Sequence, residues 1–321
     1  MSYLLIIGVL FMAANGVNAQ TQEGPFTPQS ATLRTLANAA ERAQLEKPGT
    51  VIFADDFSSD SSWANYFEIR GLDDGRAQWI AAPNDGGGFV QFSAPAADGR
   101  SSGSGASLWL GTQGYETVYY RRYIKFAADY DQGNLNHTGG GLSGVAGSNK
   151  WGGMGNAGIR PEGNDRFTAA FEPWRDWQRY PAPGYMFIYT YWMDMVASSD
   201  GNYWGNFIEA PQGSRIVLER DRWYCLEQMI RVNQIGQADG EMAAWIDGQL
   251  YLHYKGFRWR TAPDVKIKRA DLGIYIHEAQ RDNTVWYDDV VLSTGYVGPV
   301  EGKTTQVEGT SWGRVKGMAE D

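Results

Sequence analysis

Ten short segments dominate the chain, among them VIFADDF, GGFVQFSA, TVYYRRYIKF, DRFTAAFEP, YMFIYTYWMDM, RWYCLEQMIRVN, EMAAWIDGQLYLHY, ADLGIYIHEA and NTVWYDDVVLS. They are rich in β-branched and aromatic residues, alternate in polarity or run apolar throughout, and are separated by Gly, Asn, Asp and Pro clusters. No long segment carries a 3.6-residue apolar period, so helices cannot build this core. The pattern predicts an all-β protein, a concanavalin A-like β-jelly-roll sandwich of two antiparallel sheets. Asp239-Gly240 and Asp247-Gly248 punctuate consecutive strands and mark hairpins.

The boundaries follow from what flanks these strands. Residues 1–19, MSYLLIIGVLFMAANGVNA, have an apolar stretch and small residues before a cleavage point after Ala19, as in a signal peptide. Residues 20–48 are polar and Ala-rich, a linker or N-terminal extension with a short helix predicted at TLANAAERAQLE. The sandwich is placed at 49–298 and a flexible tail at 299–321, a size suited to one all-β domain. The expected location is secreted or periplasmic, with no membrane span in the mature chain. A single cysteine, Cys225, excludes an internal disulfide and leaves stability to the core. The net charge of −9 argues against nucleic acid as a partner. Aromatic residues make up 14% of the chain; most are expected in a large β core and a minority along a sugar-binding groove.

Strand periodicity divides each segment into a core face and an open face. In TVYYRRYIKF, Ile124 and Phe126 belong to the core and Arg121, Tyr123 and Lys125 to the other face. In DRFTAAFEP, Phe167, Ala169 and Phe171 point inward and Glu172 outward. In WYCLEQMIRVN, Leu226 and Ile230 point inward and Glu227 outward. In LGIYIHEA, Leu272, Ile274 and Ile276 point inward, Tyr275 and His277 outward. If these strands share one concave sheet, Arg121, Tyr123, Lys125, Glu172, Glu227 and Tyr275 line a substrate groove together with His277.

The stretch Asn136–Val145, NHTGGGLSGV, satisfies several patterns at once. Its GxGxxG lacks the strand–turn–helix context of a dinucleotide site, so no organic cofactor is expected. Its GxSxG fails because Val145 replaces the last glycine. Its Asn136-x-Thr138 is a valid glycosylation sequon. Glycines between strands permit positive φ and close backbone approach to a ligand, and His137 beside them is a candidate base.

Taken in order, YYRRYIKF, GGGLSGV, AGIRPEGNDRFTAAFEP, YTYW, RWYCLEQMIRVNQIGQADGEMAAWIDG and NTVWYDDVVLS resemble the secreted jelly-roll polysaccharide lyases. The alginate and glucuronan lyases, with the related fungal cellulose-induced secreted proteins, are similar in pattern over roughly Gly49 to Tyr296. The resemblance implies β-elimination on a uronic-acid-containing polysaccharide. In such a reaction a cation or donor neutralises the carboxylate, a base removes the C5 proton, and an acid protonates the departing oxygen. It implies Arg160, on the strand after the Gly-rich loop, as neutraliser, and Tyr189 and Tyr191 as the source of the acid or base. The lysine of the alginate-lyase pattern is absent from Gly141–Val145, and His137 or His277 would take its place. Arg160 could instead be ion-paired with Glu172 or Glu162, and the two tyrosines could be packing residues.

Two carboxylate pairs, Asp55-Asp56 near the first strand and Asp288-Asp289 on the last, suggest a structural Ca²⁺ held where the ends of the sandwich meet, or else solvated turn caps. Two other functions compete with a lyase. One is a glycoside hydrolase using Glu172 and Glu227, and the other is a non-catalytic carbohydrate-binding protein. In each case the partner is a polysaccharide and the chain a monomer.

Overall fold

The computed structural model describes residues 34–35, 38–82, 87–210 and 214–301. Residues 1–33, where a signal peptide and most of the N-terminal extension are expected, and residues 302–321 lie outside the described residues. In chain order the strands are β1 (Arg34–Thr35), β2 (Val51–Asp55), β3 (Glu68–Arg70), β4 (Ala77–Ala81), β5 (Gly88–Ala94), β6 (Ser102–Trp109), β7 (Thr117–Phe126), β8 (Gly141–Val145) and β9 (Arg166–Trp174). They continue with β10 (Gly184–Tyr191), β11 (Asn206–Glu209), β12 (Val217–Leu218), β13 (Trp223–Arg231), β14 (Gly240–Ile246), β15 (Gln249–Phe257), β16 (Lys266–Ile276) and β17 (Asn283–Ser293). Helix α1 (Ala39–Leu45) precedes β2.

These strands form two wholly antiparallel sheets, as the sequence predicts. One runs β1-β15-β14-β13-β7-β17-β5-β4, with β2 also on β17; the other runs β11-β10-β9-β8-β16-β6-β3, with β12 on β10. Tyr120, Ile124 and Phe126 of β7 and Leu226 and Ile230 of β13 meet Phe167, Ala169 and Phe171 of β9 and Leu272, Ile274 and Ile276 of β16, all buried in one core. Burying each large side chain contributes about 1.5–3 kcal/mol, and the alternation that sets the faces is thereby fixed. The β14–β15 hairpin turns at Asp247 and Gly248 with φ of 50° and 75°, the two left-handed residues a twisted hairpin requires.

The outer face of the nine-stranded sheet is partly covered. Asn38 caps α1 by accepting from the Glu41 N–H at 2.9 Å. Leu45 packs with Tyr119, Met229 and Trp245, and the Tyr119 hydroxyl donates to the Leu45 carbonyl at 2.8 Å. Beyond β17 the chain crosses the same face. Glu227 accepts from the Val297 and Gly298 N–H groups at 2.9 and 2.8 Å, and the Tyr123 hydroxyl accepts from Val300 N–H at 2.8 Å.

Candidate active site

That covering corrects the expected groove. β7 and β13 belong to the nine-stranded sheet, so Arg121, Tyr123, Lys125 and Glu227 lie across the sandwich from Glu172, Tyr275 and His277. Periodicity fixes which face a residue takes but not which sheet its strand joins. Arg121 is buried, in register opposite Glu227, and donates to the Gly298 carbonyl at 3.4 Å. Lys125 rests over Trp286 at 4.7 Å and faces Asp221. Glu227 and Glu172 project from opposite outer faces of sheets that pack about 10 Å apart, beyond the separation at which two carboxylates act on one glycosidic bond. The glycoside-hydrolase pairing is therefore excluded.

The open face of the eight-stranded sheet carries a cluster of titratable side chains. Residues 135–140, expected as a loop, run as an extended segment along β16. His137 N–H donates to the Tyr275 carbonyl at 2.7 Å, Tyr275 N–H returns to His137 at 3.0 Å, and Gly139 N–H reaches the Gly273 carbonyl at 3.1 Å. On the other side the segment meets β9, where Phe171 N–H donates to the Gly140 carbonyl at 2.9 Å. Gly139 and Gly140 hold φ of 139° and 145°, and a Cβ on either would stand 2.4 Å from a carbonyl oxygen, of Phe171 and Asp271 respectively. Their close approach is thus to neighbouring strands of the protein rather than to a ligand. The sequon is not available on this surface: Asn136 is buried and its amide donates to the Pro173 carbonyl at 3.1 Å. Ser143 is likewise buried, within β8.

The registration places His137 between Glu172 of β9 and Tyr275 of β16. Its Nδ1 lies 3.1 and 3.3 Å from the two Glu172 oxygens, with 40% of the His137 side chain exposed and 2% of that of Glu172. Burial alone would lower the imidazole pKa, but the charge of Glu172 and the hydrogen bond to it outweigh burial and raise it. Burial raises Glu172 itself, against the pull of His137. The His277 ring stands 5.1 Å from that of His137, and burial together with the neighbouring imidazole lowers its pKa to about 4. Two histidines side by side thus titrate far apart, a pattern typical of acid–base sites.

Tyr189 closes the cluster from β10, its ring 5.1 Å from His137. Its hydroxyl is 3.4 Å from that of Tyr191 and donates to the Trp204 carbonyl. Burial raises both phenols, Tyr189 the more strongly, which keeps each protonated and suits it to donate a proton rather than remove one. The structure therefore brings His137, Glu172, Tyr189, Tyr191, Tyr275 and His277 together. Arg160 is not on a strand; it is exposed on the 146–165 connection and stacks over Tyr203 at 5.4 Å. Among the described residues it is paired with neither Glu172 nor Glu162. The same connection passes the hydroxyl pair at Gly158, whose N–H meets Tyr191.

Beside the rings the floor is stripped of side chains: Gly103 and Gly105 of β6, Gly273 of β16, Gly141 of β8 and Ala170 of β9 share the open face. A Cβ at Gly105 would come within 3.4 Å of Arg70 Nη2, so this guanidinium overlies the floor. Trp151 and Trp204, each 38% exposed, stand on the flanking loops, with Trp151 beneath Arg269 at 5.3 Å. Arg70 was not identified from sequence, and neither was Arg122. The Arg122 guanidinium is fully buried between the sheets, with Nε 3.1 Å from the Gly139 carbonyl and Nη2 3.1 and 2.9 Å from those of Gly140 and Phe171. It reaches from β7 through the core to hold both backbone segments that carry His137 and Glu172. Its signal was present in TVYYRRYIKF, where a charge occupies the core-facing parity with Tyr120 and Ile124.

The carboxylates proposed for calcium take part in local hydrogen bonds. Asp55 accepts from Phe57 N–H at 3.0 Å, Ser62 at 2.7 Å and Asn65 at 3.3 Å; Asp56 accepts from Ser58 N–H at 3.0 Å; Asp288 accepts from Asp289 N–H at 2.7 Å. Among the described residues no group of three or more His, Cys, Asp or Glu gathers at one point. Asp55 serves as a turn cap, and a bulge between Asp288 and Val291 interrupts the β17 ladder there. Cys225 is buried and its thiol is pushed up to about 12 by burial, which leaves it inert.

Fold and site together define a jelly-roll sandwich with a cluster of histidine, glutamate and tyrosine side chains on the open face of one sheet. Among solved structures the chain is similar to the alginate lyase of family PL-14 from Aplysia kurodai, with a TM-score of 0.56 and 11% identity over 78% of this chain and 100% of that one. The alginate lyase Aly36B gives 0.54 and 16% over 82% and 96%, and the alginate lyase vAL-1 from Chlorella virus 0.53 and 15% over 76% and 99%. At these identities the likeness establishes the fold, that of jelly-roll polysaccharide lyases. No family model and no curated protein matches the chain. No helix among the described residues is long and apolar enough to cross a membrane.

Proposed function

We propose that the chain is a secreted or periplasmic polysaccharide lyase that cleaves a uronic-acid-containing polysaccharide by β-elimination. The observation that carries this reading is His137, bound through Nδ1 to the buried carboxylate of Glu172, with its ring against Tyr189. In the tautomer that donates Nδ1–H to Glu172, Nε2 keeps its lone pair for a substrate proton. His137 takes the C5 proton of the uronate, and the C–H electrons become the C4–C5 double bond. The bond from C4 to the glycosidic oxygen breaks, and that oxygen receives a proton from Tyr189, which Tyr191 and then solvent replenish. The imidazolium so formed is compensated by Glu172, while neutral His277 adds no opposing charge. Arg70 over the glycine floor and Arg160 on the rim supply the positive charge that the uronate carboxylate needs as the C5 carbanion develops. The exposed indoles of Trp151 and Trp204 support a sugar chain lying along the groove.

Incubating the purified chain with alginate, glucuronan and other polyuronates, while following ultraviolet absorbance of the unsaturated product, tests this. Absorbance should rise with at least one substrate and not with His137→Gln. Binding without any rise would leave a carbohydrate-binding protein and sink the lyase.

A further inference from the structure

The connection before β9 (residues 146–165) and the one before β11 (residues 192–205) both reach the hydroxyl pair of Tyr189 and Tyr191, and they touch each other there. Tyr203 N–H donates to the Gly158 carbonyl at 3.1 Å, an antiparallel bridge between the two connections. From this clasp Gly158 gives its N–H to the Tyr191 oxygen, and Trp204 presents its carbonyl to the Tyr189 hydroxyl. A hydroxyl carries one proton. That of Tyr189 is taken by the Trp204 carbonyl, so the hydrogen in the 3.4 Å contact between the two phenols belongs to Tyr191. The chain of donors thus has one direction, from Gly158 N–H to Tyr191, from Tyr191 to Tyr189, and from Tyr189 to the Trp204 carbonyl.

That direction matters to the proton movements proposed above. A rotation about the Cζ–O bond carries the Tyr189 proton from the carbonyl to the departing oxygen, where a new O–H bond forms as the phenolic one breaks. The phenolate left on Tyr189 already faces the Tyr191 O–H, which restores its proton without either ring turning. The Tyr189 ring is itself held, because Gly205 lies against its face at φ of 75°, where a Cβ would stand 2.4 Å from Cζ.

The carbonyl that sets the direction is held through its own residue's side chain. Trp204 Nε1–H donates to Asp200 Oδ2 at 2.7 Å, a charge-assisted bond. Asp200 is fixed in turn by Asn202, whose N–H reaches Oδ1 at 2.9 Å and whose amide reaches Oδ2 at 3.1 Å. Asp200 is exposed, and these bonds run to its own loop rather than to the phenols.

We infer that Asp200 is a positioning residue, which through the Trp204 indole holds the carbonyl that gives the Tyr191–Tyr189 pair its direction. The role of that direction in turnover rests on the lyase reading; the direction itself does not.

The test combines kinetics on a polyuronate with proton NMR of the same full-length proteins. Asp200→Ala should lower kcat by about three- to tenfold, as loss of one exposed hydrogen bond allows, with KM and the urea midpoint unchanged. Trp204→Phe keeps the carbonyl and a ring but loses Nε1–H; it should lower kcat to the same extent, and the double variant no further. Asp200→Asn, whose amide oxygen still accepts, should recover most of the rate. An unchanged kcat in Asp200→Ala, a rise in KM alone, or a double variant in which the two losses multiply overturns the inference. The hydroxyl-proton resonance of Tyr189, assigned by its loss in Tyr189→Phe, should move upfield in Asp200→Ala and return in Asp200→Asn. This readout needs no substrate. A wild type inert on every polyuronate therefore sinks the lyase reading alone, and an unmoved resonance sinks the positioning role alone.

Discussion

Arg122→Met is the most informative single change in this molecule, because the residue touches no groove surface yet holds the strands that do. Methionine keeps much of the side-chain volume and removes the three contacts to the Gly139, Gly140 and Phe171 carbonyls. The Gly140 carbonyl retains the Phe171 N–H as partner, whereas the Gly139 carbonyl is held by Arg122 Nε. Hydrogen bonds to a charged donor contribute about 1.5–3 kcal/mol each, and an orphaned buried carbonyl costs about 1–3 kcal/mol. Relief from burying a guanidinium without a carboxylate offsets part of this, since that desolvation is worth several kcal/mol. The expected loss is therefore about 3 kcal/mol, near the top of the range for single substitutions. Urea denaturation of wild type and variant at one pH measures it through the midpoint shift at constant slope. Arg122→Lys, with one charged nitrogen in place of a fork, should recover only part. A variant within about 0.5 kcal/mol of wild type would refute the assignment of Arg122 as a brace, because surface changes are that small.

His137→Gln and Tyr189→Phe should each lower kcat by about 10²–10⁴-fold with intact folding, the contribution typical of a positioned base or acid, as read by product absorbance. Glu172 raises the His137 pKa and the base must be neutral, so Glu172→Gln should move the acid limb of the kcat/KM profile to lower pH; an unmoved limb removes Glu172 from the mechanism. His277 falls from an unfolded value of about 6.5 to about 4, so the unfolded state binds more protons between them and stability declines as pH falls through that window. His277→Gln should flatten this decline in urea midpoints taken at pH 7 and pH 4.5. Gly140→Ala places a methyl 2.4 Å from the Asp271 carbonyl at positive φ and should cost about 2 kcal/mol or more, visible as a lowered Tm.

The sequence exposed more of the fold than of the site. Alternation in DRFTAAFEP and LGIYIHEA correctly put Glu172, Tyr275 and His277 on an open face, because burying the opposite parity in the core permits one register only. The same alternation in TVYYRRYIKF and WYCLEQMIRVN was equally correct about faces, yet Arg121 and Glu227 went to the wrong groove, since pairing partners are set by contacts distant in sequence. The Gly-rich stretch misled differently: Gly139–Gly141 resemble a loop by composition and are pressed between β9 and β16 by geometry. The Asp55 and Asp288 pairs look alike as ligands, but their roles depend on the local hydrogen bonds of turns and bulges, which no spacing rule encodes.

The brace from β7 also changes how the two halves of the sandwich can be exchanged. A chimera that grafts the sheet bearing His137 onto another protein's back sheet would preserve every residue of the candidate site and still lose the arginine that holds the His137 segment. The unit of inheritance for this chemistry is consequently not a set of groove residues but the groove sheet together with one arginine of its opposite number.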